Sequence, residues 1–152
     1  MRDNQPVTQR EYVLSEEAVL ISRSDLKGNV TYANPTFVEV SGNSREELIG
    51  SPHNLLRHPD MPEAAYADFW KTIQAGVTWQ GVVKNRRKNG DHYWVHATVA
   101  PLRDGERIVG YTSVRRKAAG KAVARAEKIY AEIREKGKSR HYALAHGTLR
   151  RK

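Results

Sequence analysis

Cysteine is absent from the 152 residues of this chain, and its absence removes several classes of chemistry. Without a thiol, the chain cannot form disulfides, ligate an iron–sulfur cluster or a zinc ribbon, use a thiolate nucleophile, or undergo cysteinyl-flavin photochemistry. Long apolar runs are missing too, and none approaches the roughly 20 residues of a membrane helix. Residues 1–10 are polar and contain no signal-peptide core. We therefore expect a cytoplasmic protein, an expectation that also holds if the chain is one piece of a larger, membrane-attached protein.

Charge is distributed unevenly along the chain, because acidic residues are scarce in the C-terminal part. The formal net charge is +9, from 26 Lys and Arg against 17 Asp and Glu. Residues 1–114 contain 13 basic and 14 acidic side chains, whereas residues 115–152 contain 13 basic and 3 acidic ones. The C-terminal part therefore carries the basic charge. This split weakens a nucleic-acid interpretation for residues 1–114, and it leaves three interpretations of residues 115–152: a solvated linker, a segment near an anionic membrane surface, or a nucleic-acid arm.

The spacing of apolar and turn residues predicts an α+β fold. The main helix is indicated by one apolar stripe, formed by Tyr66, Phe69, Trp70 and Ile73. Five strands are expected, over residues 18–22, 29–33, 79–87, 92–100 and 107–115. This order of elements predicts a five-stranded antiparallel sheet with helices packed on one face.

Changes in composition divide the chain into three parts. Residues 1–15 are expected to be an N-terminal arm, residues 16–117 the domain, and residues 118–152 a basic linker helix and tail. The helix is predicted from Ala118 to Lys136, and its apolar stripe should pack on its own domain or across a dimer. The residues of that stripe are Ala122, Val123, Ala126, Ile129, Tyr130 and Ile133. The segment after residue 138 is expected to be short and mobile.

Two stretches are typical of a family of sensor modules. The stretch Asn34–Gly42, N-P-T-F-V-E-V-S-G, resembles the N-x-x-F-x-x-x-[ST]-G helix of PAS domains. The segment Trp79–Gly81 and the run Asn85–Trp94 resemble the last hairpin of that family. The resemblance implies the PAS fold, and by itself it says little about a ligand.

A narrower match lies in the string Pro52–Pro62, P-H-N-L-L-R-H-P-D-M-P, together with the segment Val83–Val95. Both are similar to the flavin-binding PAS domain of bacterial aerotaxis receptors, over roughly residues 7–117. This resemblance implies non-covalently bound FAD, redox or oxygen-response sensing, and signalling through a HAMP region to a chemotaxis kinase complex in a homodimeric receptor. It implies a signalling module rather than an enzyme, and it favours the linker or membrane-surface interpretation of the basic part, with no nucleic acid among the partners. Among the residues themselves no catalytic arrangement stands out, and His92 and His96 have no evident third metal ligand, so we expect no catalytic site and no metal.

Eight residues are candidate cofactor contacts: Asn34, Arg57, His58, Asp60, Tyr66, Trp70, Trp79 and Asn85. Three of them lie in a loop before a predicted helix, where free amides and an arginine favour an anionic group. The resemblance implies that Arg57 and His58 lie near the pyrophosphate or ribityl chain of FAD. In the structural alternative, Asp60 is the N-cap of the helix in a capping box with Glu63, and His58 bonds to backbone. Asp60 can fill both roles.

The other five candidates lie on predicted elements. Trp79 and Asn85 share one strand face by the two-residue period, and a carboxamide among apolar residues suits the polar edge of a flavin ring. The alternative is an Asn85 that faces solvent at the strand end. Tyr66 and Trp70 are either core or cavity wall, and aerotaxis receptors more typically carry Phe where Tyr66 stands. Asn34 is a helix cap, and in the family it also reaches the cavity.

Two other functions fit the same fold. One is a haem-binding gas sensor, with His53 or His58 as the axial ligand. The other is a cofactor-free PAS module that serves only for dimerisation. The visible spectrum separates these alternatives, because flavin, haem and a cofactor-free protein differ in colour.

Overall fold

A computed structural model of the chain describes residues 4–152, and it contains one five-stranded antiparallel sheet in the order β2-β1-β5-β4-β3. Its strands are β1 (Val19–Ser24), β2 (Val30–Ala33), β3 (Trp79–Arg86), β4 (His92–Asp104) and β5 (Arg107–Lys117). Between β2 and β3 lie α1 (Pro35–Ser41), α2 (Arg45–Leu48), a 3-10 helix (His53–Leu56) and α3 (Glu63–Gln74). The predicted sheet of five antiparallel strands is confirmed.

The short helices begin and end where local capping residues stand. The Asn34 side chain accepts a hydrogen bond from the Phe37 amide at the start of α1, which ends at Gly42 in the left-handed conformation. A capping box of Ser44 and Glu47 starts α2. Both helices therefore begin at the predicted caps and hold the chain against the inner face of the sheet.

The first hydrophobic core lies between that inner face and the helices. Leu20, Phe37, Tyr93 and Val95 are all fully buried there. The sequence predicts that β4 ends before Pro101, but the strand continues to Asp104. The pairing of β4 with β3 stops at Val99, so Pro101 lies where one edge of β4 has no partner strand and a missing N–H costs little.

A second core lies under α4 (Gly120–Lys136). Its buried residues Ala126, Ile129, Tyr130 and Ile133 pack with Trp94 of the sheet, with Ala65 of α3 and with Met61 just before α3. The apolar stripe of this helix is therefore covered by its own domain. No helix among residues 4–152 combines the length and apolar character needed to cross a membrane.

The segment predicted to be mobile forms an ordered hairpin instead. Its strands are β6 (Tyr142–Ala145) and β7 (Thr148–Arg151), joined by the two-residue loop His146–Gly147. The backbone φ angles of that loop are 52° and 89°, as the tightest hairpin turns require. Leu144 and Leu149 pack into the second core, which explains why the hairpin is ordered.

The predicted N-terminal arm lies along the β3–β4 hairpin. The Asn4 carboxamide donates to the carbonyl oxygens of Asn54 and Arg57, at 2.8 Å each. The Tyr12 amide donates to the His92 carbonyl at 2.7 Å. Residues 4–14 therefore cover part of the domain, and residues 1–3 of the arm lie outside the described residues.

Candidate functional site

A cavity of about 220 Å³ lies between the inner face of the sheet, the 3-10 helix and α3. This volume far exceeds the roughly 10–15 Å³ that one water molecule needs. More than half of the lining residues are apolar or aromatic, among them Leu56, Met61, Phe69, Trp70, Ile73, Trp79, Val83 and Val99. The cavity is therefore suited to a small organic ligand with a large apolar surface.

Three aromatic side chains of this lining form what we call the aromatic wall: Phe69, Trp70 and Trp79. The Phe69 ring lies edge-on to both indoles, with centroid separations of 5.5 Å to Trp70 and 5.3 Å to Trp79. The helical spacing of α3 places the first two on one face, and the start of β3 supplies Trp79. The Trp79 indole N–H is held outside the cavity by a 2.9 Å bond to Asp68. Two of the predicted contacts, Trp70 and Trp79, are therefore brought together on one side of the cavity.

A chain of hydrogen bonds, which we call the polar row, lines another side. The Arg115 guanidinium donates to the Ser22 hydroxyl at 2.7 Å, and that hydroxyl lies 2.9 Å from Nε2 of His53. Nδ1 of His53 lies 3.1 Å from the Gly28 carbonyl, which can only accept, so Nδ1 carries the proton and Nε2 accepts from Ser22. Burial lowers the pKa of His53 to about 4, so its imidazole is neutral near pH 7.

Arg115 and Ser22 are cavity residues that the sequence analysis did not single out. Arg115 is wholly buried, and burial lowers its pKa to about 10, so it keeps its charge at neutral pH. In the sequence it is followed by Arg116 and Lys117, and the three look like the start of a basic tail. The strand period is the signal that finds it, because Ser113 and Arg115 share the inward face of β5.

Asn85 lies on the inward face of β3 and lines the cavity. It pairs in register with Tyr93 of β4, and its side chain is 7% exposed, so the solvent-facing alternative is wrong. Burial raises the pKa of the neighbouring Tyr93 hydroxyl to about 12, and this phenol therefore stays neutral. Asn85 consequently presents a carboxamide to the cavity.

Arg57 and Tyr66 also line the cavity, and they contact each other. The Arg57 guanidinium lies 3.8 Å from the centre of the Tyr66 ring. The Tyr66 hydroxyl is buried and has no hydrogen-bond partner among the described residues. A buried polar atom of this kind ordinarily has a partner, so a polar atom of a ligand in the cavity would satisfy it.

The other three predicted contacts do not line the cavity. Asn34 has its carboxamide occupied by the backbone, since it accepts from the amides of Phe37 and Ile21 and donates to the Val19 carbonyl. It therefore joins α1 to β1. His58 is buried on the other side of the loop, where its ring lies edge-on to His92 at 5.9 Å.

Asp60 forms an ion pair instead of a helix cap. Its carboxylate accepts a 2.8 Å bond from the ammonium group of Lys84 on β3. Although burial acts to raise the pKa of Asp60, the bond and charge of Lys84 lower it below its usual value. α3 begins after Pro62 with no side-chain cap, so the predicted capping box of Asp60 and Glu63 is wrong.

Comparison with known proteins places this geometry in a family. A model of the PAS fold matches residues 30–115, more than half of the chain. The chain is 50% identical to the aerotaxis receptor of Escherichia coli strain K12 over 124 residues, which are 82% of this chain and 24% of the receptor. It is 30% identical to the nitrogen fixation regulatory protein of Klebsiella pneumoniae over 90 residues, 59% of this chain and 18% of that protein.

A solved structure shows the same architecture. A light-oxygen-voltage domain whose mechanism was studied with a flavin analogue superposes with a TM-score of 0.64 at 28% identity, covering 72% of this chain and 86% of that one. This chain spans about a quarter or less of the length of the two curated relatives. Such relatives are signalling proteins, which confirms the expectation of a signalling module rather than an enzyme. The chain belongs to the PAS fold family.

Proposed function

We propose that the cavity binds a flavin non-covalently and that the chain is the FAD-binding redox- or oxygen-response sensor of an aerotaxis-type chemoreceptor. The observation that carries the proposal is the division of the cavity lining into the aromatic wall and polar groups. A flavin ring has flat apolar faces and a polar edge, and it needs both kinds of surface. The relatives support the same ligand class, because the light-oxygen-voltage domain was studied with a flavin analogue.

The polar side chains suit different parts of such a ligand. Asn85 carries both a donor and an acceptor, so its amide can follow a change of protonation at the ring by rotating. A bound flavin supplies the reversible uptake of electrons and protons. Because Asn85 lies on β3 directly opposite Tyr93 of β4, a rotation of its amide would change its side-chain contact with Tyr93 on the neighbouring strand. The sheet would then pass the change to a partner region.

Arg57 suits the anionic end of a flavin nucleotide. Its guanidinium is about half buried at the cavity and keeps a fixed positive charge, which suits the phosphate end of either flavin nucleotide; the choice of FAD rests on the identity to the aerotaxis receptor. The identity to the aerotaxis receptor over most of this chain supports the remaining parts of the proposal. These are a HAMP or signalling region as the partner, a homodimeric receptor, and a cytoplasmic location that can include membrane proximity through the basic C-terminal part.

The haem alternative has less support. Both ring nitrogens of His53 are engaged by hydrogen bonds, to Ser22 and to the Gly28 carbonyl, so an iron ligand would have to break one of them. His58 does not line the cavity. The cofactor-free dimerisation module remains the result to expect if the purified protein binds no coloured ligand.

Substitution of Arg57 and Asn85 tests the site assignment. Arg57→Ala removes a charge-assisted bond worth about 1.5–3 kcal/mol, so flavin affinity should fall about tenfold or more. Asn85→Ala should weaken binding by a similar factor and also shift the midpoint potential. The reason is that a bond to the ring depends on the redox state of the ring, whereas a bond to phosphate does not.

The measurements are flavin occupancy and midpoint potential, with circular dichroism as the folding check. Arg45→Ala and Asn89→Ala are matched controls, because both residues are exposed and distant from the cavity lining. If Arg57→Ala and Asn85→Ala stay folded with full flavin at an unchanged potential, the site assignment is wrong.

A further inference from the structure

One carboxylate oxygen joins the cavity to the C-terminal part of the chain. Oδ2 of Asp68 on α3 accepts the indole N–H of Trp79 at 2.9 Å and the backbone N–H of Gly147 at 2.8 Å. Trp79 belongs to the aromatic wall, and Gly147 lies in the turn of the β6–β7 hairpin. A movement of the indole therefore acts directly on a bond that holds the hairpin.

The hairpin turn is seated closely on the domain around this carboxylate. The Gln80 amide of β3 donates to the His146 carbonyl at 3.1 Å, and the Thr72 hydroxyl lies 3.1 Å from Nδ1 of His146. Gly147 has a φ of +89°, and a Cβ at this position would lie 2.1 Å from the Gln80 carbonyl oxygen. Only glycine permits this approach, so the docking is specific to the present turn.

α4 extends the same contact along β3. The Tyr130 hydroxyl donates to the Val82 carbonyl at 2.6 Å, and the Arg134 guanidinium donates to the Asp60 carbonyl at 2.6 Å. We call α4, β6 and β7 together the C-terminal unit. It reaches the domain through the edge of β3 and through α3, which are the two elements that carry the aromatic wall.

We propose that Asp68 is a positioning residue that couples the occupancy of the cavity to the docking of the C-terminal unit. A ligand against the aromatic wall fixes the Trp79 indole, and the shared oxygen of Asp68 transmits this to Gly147. The C-terminal unit then has a docked and an undocked arrangement whose balance the ligand sets. The identity of the ligand rests on the proposed function; the hold of Asp68 on the hairpin does not.

Hydrogen exchange tests whether Asp68 keeps the β6–β7 hairpin docked on the domain. The Gly147 amide is measured in cofactor-free wild type, Asp68→Asn, Asp68→Ala and the control Glu63→Gln, which removes an exposed carboxylate from the same helix. We expect exchange at Gly147 to rise tenfold or more in Asp68→Ala and less in Asp68→Asn. It should not change in Glu63→Gln, and the β5 amides should stay protected in all four proteins. Unchanged exchange at Gly147 in Asp68→Ala overturns the proposal.

The coupling is tested by adding FAD to the wild type and, in the reverse direction, by undocking the hairpin. FAD should change exchange at Gly147 by threefold or more, and Asp68→Ala should remove that change. Because coupling is reciprocal, Thr72→Val, which removes the hydroxyl that contacts His146 and lies outside the cavity lining, should also alter FAD affinity. Gly120→Ala is the control, since a Cβ there meets nothing within 4 Å.

Each result assigns the failure to one proposal. Bound FAD with no change in exchange at Gly147, or Thr72→Val with unaltered FAD affinity, overturns the coupling and leaves the proposed function standing. Failure of the wild type to bind FAD overturns the proposed function and the coupling with it. In that case, hydrogen exchange at Gly147 in the cofactor-free proteins still shows whether Asp68 keeps the hairpin docked.

Discussion

Arg115 is a buried cation whose hydrogen-bond partners are both neutral. They are the Ser22 hydroxyl and the Leu20 carbonyl. Burial lowers the pKa of Arg115 from 12.5 to about 10. At 1.36 kcal/mol for each pKa unit, holding the charge in the folded protein costs roughly 3 kcal/mol. Burying this charge therefore destabilises the cofactor-free protein, and binding of an anionic part of a ligand would explain why a charged residue stands at this position.

The substitution Arg115→Met separates the two effects. It removes the charge, keeps an unbranched side chain against the Phe37 ring that Arg115 now overlies at 4.5 Å, and leaves Ser22 bonded to His53. The lost 2.7 Å hydrogen bond from the charged group to Ser22 is worth about 1.5–3 kcal/mol, and the bond to the Leu20 carbonyl, at 3.5 Å, is weak; against them stands the relief of roughly 3 kcal/mol. We expect the free energy of unfolding of the cofactor-free variant to be unchanged or raised by up to about 2 kcal/mol. Its affinity for FAD should fall tenfold or more.

Urea unfolding of the cofactor-free protein and titration with FAD measure both quantities. Arg116→Met is the matched control, because Arg116 is the next residue along β5 and is exposed. The control should change the free energy of unfolding by less than about 0.5 kcal/mol and leave FAD affinity unaltered. If Arg115→Met loses more than about 1 kcal/mol of stability and binds FAD normally, Arg115 is a structural residue and the reasoning is refuted.

Two further predictions concern residues of the cavity lining. Because burial lowers the pKa of His53 to about 4, the unfolded chain binds this proton more readily between pH 6.5 and 4. His53 should therefore contribute a fall of up to about 3 kcal/mol in the free energy of unfolding as the pH drops through that window, and His58, whose pKa burial also lowers to about 4, adds to it. Urea unfolding at a series of pH values should show a smaller fall in His53→Gln than in the wild type; an equal fall in both proteins contradicts the prediction. Gly28→Ala places a Cβ 2.9 Å from the Trp70 indole at a φ of +88°, so it should destabilise the protein by about 2–4 kcal/mol in thermal unfolding. Gly105 also has a left-handed backbone but lies in open space, so Gly105→Ala should lower the stability by only about 1–2 kcal/mol. Equal losses of stability in the two variants would contradict the close contact between Gly28 and Trp70.

Features that depend on neighbouring residues could be predicted from the sequence. The caps Asn34 and Ser44 act on amides three residues away, so the chemistry that starts α1 and α2 is visible in short stretches of sequence. The two-residue period of β3 likewise placed Trp79 and Asn85 on one face, and both line the cavity.

Features that depend on distant residues could not be predicted in this way. Asp60 fits the sequence pattern of a helix cap. Lys84, which lies 24 residues later, is buried beside it and forms an ion pair with its carboxylate. The β6–β7 hairpin has only Tyr142 and Thr148 as strong strand formers in a basic segment, and it is ordered by its contacts with β3 and α3. Arg115 was not recognised as a buried residue because the basic residues that follow it in the sequence make it look like part of an exposed basic segment.

The visible absorption spectrum of the purified protein, offered FAD and FMN during refolding, tests the central claim most directly. We predict the two bands of an oxidised flavin, released intact by denaturation because no cysteine is present to bind it covalently, and identified as FAD by chromatography. Protein that is folded by circular dichroism but colourless in the presence of both flavins, or that shows the intense single band of haem, would contradict the account.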